Sequence, residues 1–140
     1  MFPKALTASL ASVLFFSVSP TFAQTTTSPF PNKLVRIIVP FPPAGGVDIL
    51  ARAVSAELAK RWGQPVIIEN KPGGGSLIGA DFVARAPADG YTLLATVNQT
   101  ITANRFLYKN LPYDPDNSFI PVMEMVESEQ LIVANPQVPA

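Results

Sequence analysis

The chain has 140 residues, 10 of them basic and 10 acidic, and it contains neither cysteine nor histidine. It therefore cannot form a disulfide, a thiolate metal site, a thiol nucleophile or a Ser-His-Asp triad. The balanced charge provides no basic surface for nucleic acid, and the 48% of hydrophobic residues is typical of a folded domain. We expect no enzyme active site, no cofactor, no metal site and no nucleic-acid partner.

The first 23 residues have the pattern of a secretory signal peptide. Lys4 supplies the positive charge, and residues 5–18 are apolar apart from small hydroxyl residues. The segment Thr21-Phe22-Ala23 has small residues at the two positions that a signal peptidase recognises. The apolar run is shorter than the roughly 20 residues that span a bilayer. We expect cleavage after Ala23, with an uncleaved anchor as the alternative. The mature protein should then be secreted without stable membrane insertion, beginning with a polar leader over residues 24–32.

Strand and helix patterns alternate after the leader. Runs of β-branched and aliphatic residues predict strands, and apolar residues at spacing four predict a helix over 49–62, with Asp48 at its start and Gly63 at its end. A second helix is predicted over Ser76–Ala86. The predicted strands are Lys33–Pro40, Pro65–Glu69 and Tyr91–Val97. This order predicts an α/β fold with a doubly wound parallel sheet.

The pattern is less regular beyond residue 97. We predict a short helix over Thr100–Tyr108, a proline-rich loop over Leu111–Phe119 and strands over Ile120–Val126 and Gln130–Ala134. Residues 135–140 have the composition of a linker. The predicted domain organisation is therefore one α/β lobe over residues 33–134, followed by the start of a crossover.

Ligands of open parallel α/β sheets bind beyond the carboxyl ends of the strands, so the loops 41–48, 70–76 and 97–104 should share one edge. Gly45, Gly46 and Val47 would leave backbone N–H groups free at the positive end of a helix, which suits a carboxylate or phosphate. The alternative is that the two glycines are present only because the turn requires their backbone geometry, with no role in binding. Asp48 either caps this helix or also contacts a ligand.

The other two loops carry weaker signals. In the second loop, Lys71, Gly73–Gly75 and Ser76 offer a charge and further N–H groups. The third loop supplies uncharged donors and acceptors that suit the orientation of a small ligand. These polar residues are Thr96, Asn98, Thr100 and Asn104. For both loops the alternative is an ordinary solvated turn.

Several segments, taken in order, resemble a known family. The stretches KLVRIIVPFPPAGGVDILAR, QPVIIENKPGGGSLIGA, ARAPADGYTLL and LYKNLPYDPDNSFIPV are similar to the Bug family, the extracytoplasmic receptors of tripartite tricarboxylate transporters. The resemblance implies a type II periplasmic-binding-protein fold, in which two α/β domains close over a small carboxylate. Family members are about twice as long, so the resemblance implies an N-terminal part without the second domain.

The resemblance also implies a function and a set of site residues. It implies a periplasmic receptor, or a fragment of one, that delivers a carboxylate to membrane transport subunits. The ligand-binding residues carried over from the first and third loops are Phe41, Ala44, Gly45, Gly46, Asp48, Thr96, Asn98 and Thr100, and the second loop adds Ser76. Ala44 replaces a usual glycine, which carries a steric cost if φ is positive there.

Other functions stay open at this point. A sensory binding protein with the same fold, or a non-functional truncated remnant, would carry the same segments. An enzyme on this scaffold is disfavoured because the sequence has no nucleophile-base pair.

Overall fold

Strands and helices alternate over residues 35–107. The computed structural model describes residues 29–128, 131, 133 and 135–137. The predicted signal peptide and residues 24–28 of the predicted leader lie outside these residues. The elements are β1 (Val35–Val39), α1 (Gly46–Trp62), β2 (Val66–Asn70), α2 (Leu77–Ala84), β3 (Thr92–Leu94), α3 (Asn98–Ile101) and α4 (Asn104–Leu107). The predicted α/β class is confirmed.

The three strands form a parallel sheet in the order β2-β1-β3. In this register Ile37 lies opposite Ile68 on one side and Leu93 on the other. Because β1 is central, the chain first extends the sheet to one side and then crosses β1 to the other. The carboxyl ends of all three strands therefore meet at one edge of the sheet, as in a doubly wound fold.

The two faces of the sheet carry different helices. Ile37 and Val39 of β1 belong to a buried apolar cluster with Ala51 of α1. The neighbouring Arg36 points to the opposite face, where its guanidinium carbon lies 5.9 Å from the centre of the Phe82 ring in α2. Alternation of side chains along β1 thus allows one strand to pack against a helix on each side.

Two glycines have separate structural roles: one ends α1, and the other lets α2 approach the sheet closely. Gly63 ends α1 in the left-handed conformation (φ 63°) and donates its N–H to the carbonyl of Ala59 at 3.0 Å. Gly79 brings α2 against the end of β1, since a Cβ atom at this position would lie 2.7 Å from the Cβ of Pro40. Only a residue without a side chain permits such an approach.

An aromatic cluster lies at the opposite end of the sheet, where the strands begin. The Phe30 ring contacts Tyr91 with a centroid distance of 4.9 Å and Trp62 with a distance of 6.1 Å. The hydroxyl of Tyr91 donates to the side chain of Asn32 at 2.9 Å. Tyr91 and Trp62 are half-buried in this peripheral cluster.

Some predicted elements differ from the structure. The predicted helix over Thr100–Tyr108 is two short helices, α3 and α4. The prediction of a strand over Ile120–Val126 is wrong: these residues pair with no described strand, and Ile120 is 87% exposed. Met125 alone of this segment packs against the apolar cluster. The predicted strand over Gln130–Ala134 lies partly outside the described residues.

Helix length and hydropathy bear on membrane insertion. Among the helices that the structure describes, none has the length and apolar character required to cross a bilayer.

Candidate functional site

The loops that follow β1, β2 and β3 come together at the carboxyl edge of the sheet. The N–H of Lys71, just after β2, donates to the carbonyl of Val39 at 2.8 Å, and the N–H of Ala95 donates to Ile38 at 2.9 Å. The hydroxyls of Ser76 and Thr100 lie 2.8 Å apart, which joins the second loop to the third. The structure therefore assembles the three loops at one edge.

The loop after β1 exposes backbone donors at the start of α1. Gly45 is the N-cap residue, with extended backbone (φ −76°, ψ 165°) and no side-chain cap. Within residues 29–128, the N–H groups of Gly45, Gly46 and Val47 have no acceptor. Because α1 has 17 residues, its aligned peptide dipoles place partial positive charge here. Free N–H groups at such an end are suited to an anion.

Ala44 adopts the left-handed conformation immediately before these donors, with φ of 66°. Alanine is strained there by about 1–2 kcal/mol because its Cβ approaches the following carbonyl oxygen. Its N–H donates to Oδ2 of Asp48 at 2.9 Å, which stabilises this conformation. The replacement of glycine by alanine at this position therefore does carry a steric cost.

Asp48 supports the loop from inside α1. It is the third residue of the helix, so the prediction that it caps the helix as the N-cap residue is wrong; the N-cap is Gly45. Its side chain is buried and also accepts hydrogen bonds from Arg52 at 2.9 and 3.0 Å and from Asn70 at 2.8 Å. These bonds, that of Arg52 above all, hold the pKa of Asp48 well below its usual range. Its carboxylate therefore has three partners within the protein.

Asn70 connects the first two loops. Its amide nitrogen donates to the carbonyl of Phe41 at 3.1 Å as well as to Asp48, and its amide oxygen accepts from Arg52 at 3.0 Å. The half-buried Phe41 packs against the apolar cluster. Sequence reasoning did not select Arg52 or Asn70, although an arginine four residues after an aspartate on a helix is a recognisable pairing pattern.

A set of hydroxyls and one amide, here named the hydroxyl cluster, links the second and third loops. Thr100 Oγ1 lies 2.8 Å from Ser76 Oγ and 2.6 Å from Thr96 Oγ1. Asn104 Nδ2, which has two hydrogens, lies within 3.2–3.3 Å of three acceptors, the carbonyl oxygen of Gly75, Ser76 Oγ and Tyr113 Oη. Tyr113 Oη donates to the carbonyl of Thr100 at 2.7 Å. The hydroxyl cluster consists of Ser76, Thr96, Thr100, Asn104 and Tyr113.

The polar residues predicted in the second and third loops thus differ in their degree of burial. Ser76 and Thr100 are buried against each other, and Thr96 is half-buried beside them. Asn98 is exposed at the start of α3. Lys71 does not add charge to the loops, because its Nζ lies 4.3 Å from the Phe82 ring centre and 3.9 Å from Glu69. Asn104, predicted as one of the uncharged donors and acceptors of the third loop, is fully buried, and its amide nitrogen contacts Gly75, Ser76 and Tyr113.

Curated relatives match this chain along most of its length but extend well beyond it. BugT of Bordetella pertussis is 32% identical over 89% of this chain, which corresponds to 38% of BugT. A second protein of the same bacterium is 38% identical over 100% of this chain and 42% of its own length. The chain therefore spans less than half the length of these relatives.

Three solved structures of related proteins resemble the fold of this chain. MatC of Rhodopseudomonas palustris, solved with bound malate, is 43% identical with a TM-score of 0.63, covering 66% of this chain and 32% of MatC. An R. palustris protein solved with adipate is 38% identical with a TM-score of 0.60, covering 62% and 29%. The periplasmic binding protein BugD is 36% identical with a TM-score of 0.58, covering 64% and 30%.

A family model matches residues 50–140, which is more than half of the chain, and it describes the tripartite tricarboxylate transporter family receptor. This match agrees with the doubly wound sheet and with the relatives above. The chain belongs to the tripartite tricarboxylate transporter receptor family, whose members include the Bug solute-binding proteins.

Proposed function

We propose that this chain provides the carboxylate-binding lobe of a periplasmic receptor that delivers a small carboxylate to the membrane subunits of a tripartite transporter. The observation that carries the proposal is the set of N–H groups at Gly45, Gly46 and Val47, at the positive end of α1, that have no acceptor among the described residues. Two similar structures hold dicarboxylates, malate and adipate. Backbone donors at a helix end recognise a carboxylate group without a positively charged side chain.

The proposal includes a role in binding rather than catalysis. The groups that the fold brings to this edge are backbone N–H groups, hydroxyls and side-chain amides. Among the described residues the one buried carboxylate is that of Asp48, whose charge is balanced by Arg52. It also includes secretion by cleavage after Ala23 and a lobe over residues 33–134. Because the relatives are longer, closure of a cleft and transfer to transport subunits belong to the proposal for the whole receptor.

The contribution of one N–H group can be tested by substitution of Gly46. Gly46→Pro removes this donor, and proline is tolerated at the first position of a helix, especially after the extended Gly45. Gly46→Ala is the matched control because it keeps the N–H, and a Cβ atom there meets no atom within 4 Å. Thermal unfolding of each purified protein would be followed with malate and with adipate.

We expect the transition temperatures of the unsubstituted chain and of Gly46→Ala to rise with dicarboxylate concentration. Gly46→Pro should bind about tenfold or more weakly, since one hydrogen bond to a charged group is lost. Equal ligand-dependent shifts for the alanine and proline variants would contradict a role for the α1 donors. No shift in the unsubstituted chain with any dicarboxylate would overturn the proposed function.

A further inference from the structure

The guanidinium of Arg52 has more donors than its partners within the described part of the chain use. An arginine side chain carries N–H groups on Nε, Nη1 and Nη2. Nε donates to Asp48 Oδ2 at 2.9 Å, and Nη2 donates to Asp48 Oδ1 and to Asn70 Oδ1, each at 3.0 Å. Both hydrogens of Nη1 have no acceptor among residues 29–128. Nη1 is therefore free to donate to another group.

These contacts also fix the orientation of the guanidinium. Because Nε and Nη2 are both held, the planar group cannot turn without loss of a hydrogen bond. The side chain of Asp48 is 3% exposed, whereas that of Arg52 is 52% exposed. An ordered guanidinium that is half exposed loses little further conformational freedom when it binds an anion.

The surface pair of Asp81 and Arg85 shows what is special about Arg52. Arg85 is also four residues after its aspartate, but only its Nε donates to Asp81, at 2.8 Å, and its side chain is 71% exposed. Its guanidinium has neither the second carboxylate contact nor an amide such as Asn70 to hold it. Arg52 is thus an oriented donor, and Arg85 is an ordinary surface partner.

The guanidinium lies close to the backbone donors at the start of α1. Asp48 Oδ2 accepts from the N–H of Ala44 and from Arg52 Nε, each at 2.9 Å, so these two nitrogens are less than about 6 Å apart. Ala44 directly precedes Gly45, the first of the free donors, and consecutive residues are about 3.8 Å apart. Arg52 is therefore within roughly two residue lengths of these donors.

This separation matches the length of a small dicarboxylate. Five C–C bonds of about 1.5 Å place the carboxyl carbons of extended adipate roughly 6 Å apart. A hydrogen bond adds about 3 Å at each end. A dicarboxylate with one carboxylate on the free N–H groups of α1 can therefore reach Nη1 of Arg52 with the other.

We propose that Arg52 is a specificity-determining residue, which donates from Nη1 to the second carboxylate of a ligand whose first carboxylate lies on the N–H groups at the start of α1. This inference rests on the proposed function. Asp48 and Asn70 are then positioning residues, since they hold the guanidinium where Nη1 can donate. Because the Asp48–Arg52 pair has no net charge, the second carboxylate is held by directional, charge-assisted hydrogen bonds.

The first test compares adipate with its monomethyl ester, which has one carboxylate on the same carbon chain. Isothermal titration of the unsubstituted chain should show that adipate binds about tenfold to a hundredfold more tightly, since the ester lacks the charged acceptor for Nη1. Equal affinities would overturn the inference while the proposed function stands. Failure to bind either compound would overturn the proposed function, and the inference with it.

The second test repeats both titrations with Arg52→Lys. Lysine keeps the positive charge beside Asp48 but has no planar fork with a second oriented donor, so the preference for adipate should fall to less than about threefold. A merely structural role of Arg52 would weaken both compounds by the same factor and leave the preference intact, which would overturn the assignment. The matched control is Arg85→Lys, which should keep the preference.

A third measurement decides if Arg52→Lys shows no cooperative unfolding. In the unsubstituted chain, the side-chain N–H signals of Arg52 in an NMR spectrum should shift when adipate is added to saturation and should stay in place with the ester. The same shift with both compounds would overturn the contact with the second carboxylate.

Discussion

The loop after β1 and the hydroxyl cluster lie at the same edge of the sheet but use their polar groups in opposite ways. In the loop, a buried carboxylate and its partners hold the backbone in place while the N–H groups of Gly45 and Gly46 stay exposed. In the cluster, the side chains of Ser76 and Thr100 bind each other and are hidden from solvent. A polar side chain at the carboxyl edge of the sheet can thus hold a loop in place, while backbone N–H groups stay free as hydrogen-bond donors.

The largest effect should come from removal of the carboxylate that supports the loop. Asp48→Ala leaves Arg52, Asn70 and the N–H of Ala44 without their shared acceptor, so we expect a fall of several degrees or more in the transition temperature and loss of dicarboxylate binding. The measurement is thermal unfolding with and without malate.

A matched control for this change is Asp81→Ala. Asp81 also pairs with an arginine four residues later, at 2.8 Å, but this pair lies at the surface. Its loss should cost less than about 1 kcal/mol. Equal losses for the two variants would show that Asp48 has no special role in the loop.

The next largest effect should come from low pH, which weakens the stabilisation of the loop after β1 by the Asp48 carboxylate. The pKa of Asp48 is held below its usual value by Arg52, the Ala44 N–H and Asn70, so its stabilising contribution is present above the unfolded pKa of about 3.9 and is lost as pH falls below it. The difference in free energy of unfolding between the unsubstituted chain and Asp48→Asn should narrow between about pH 5 and pH 2. Denaturant titrations at several pH values measure this difference, and a constant difference would refute the expectation.

The smallest effects should come from Ala44 and Ser76, one in each region, which have positive φ without being glycine. Ala44→Gly relieves strain without loss of a contact and should stabilise the chain by about 0.5–1 kcal/mol, after the entropic cost of glycine. Ser76→Gly relieves similar strain but removes a hydroxyl that bridges Asn104 and Thr100, so it should destabilise the chain by about 1 kcal/mol. Chemical denaturation measures the free energy of unfolding of both variants. If both changes had the same sign, the two regions would not differ in the way proposed above.

The alternation of strands and helices is predictable because each strand contains a run of aliphatic residues, and that of β1 is buried. Ile37 and Ile38 are both buried, on opposite faces, and that pattern is visible in the sequence. The shared edge of the loops follows from the parallel order. By contrast, Ile120–Val126 has a strand composition, but strand formation depends on a partner edge, which local sequence does not specify.

The site was less predictable than the fold for a related reason. Gly45 and Gly46 stand out because glycines before a helix expose backbone donors. The orientation of Thr100 depends on Ser76, which lies 24 residues earlier, and on Asn104, which reaches back 29 residues to Gly75. No local pattern indicates that these hydroxyls bind one another, and the same small polar residues suit a ligand loop or a buried network.

The aromatic cluster around Phe30 has a practical consequence, because Trp62 is the single tryptophan of the chain. It stands at the last position of α1, roughly 24 Å along the helix axis from the donors at its first turn. Its fluorescence emission therefore reports on the packing of the far end and not on direct contact with a carboxylate at the proposed site. A change in emission on ligand addition would mean that binding at one end of α1 is transmitted along the helix to the other.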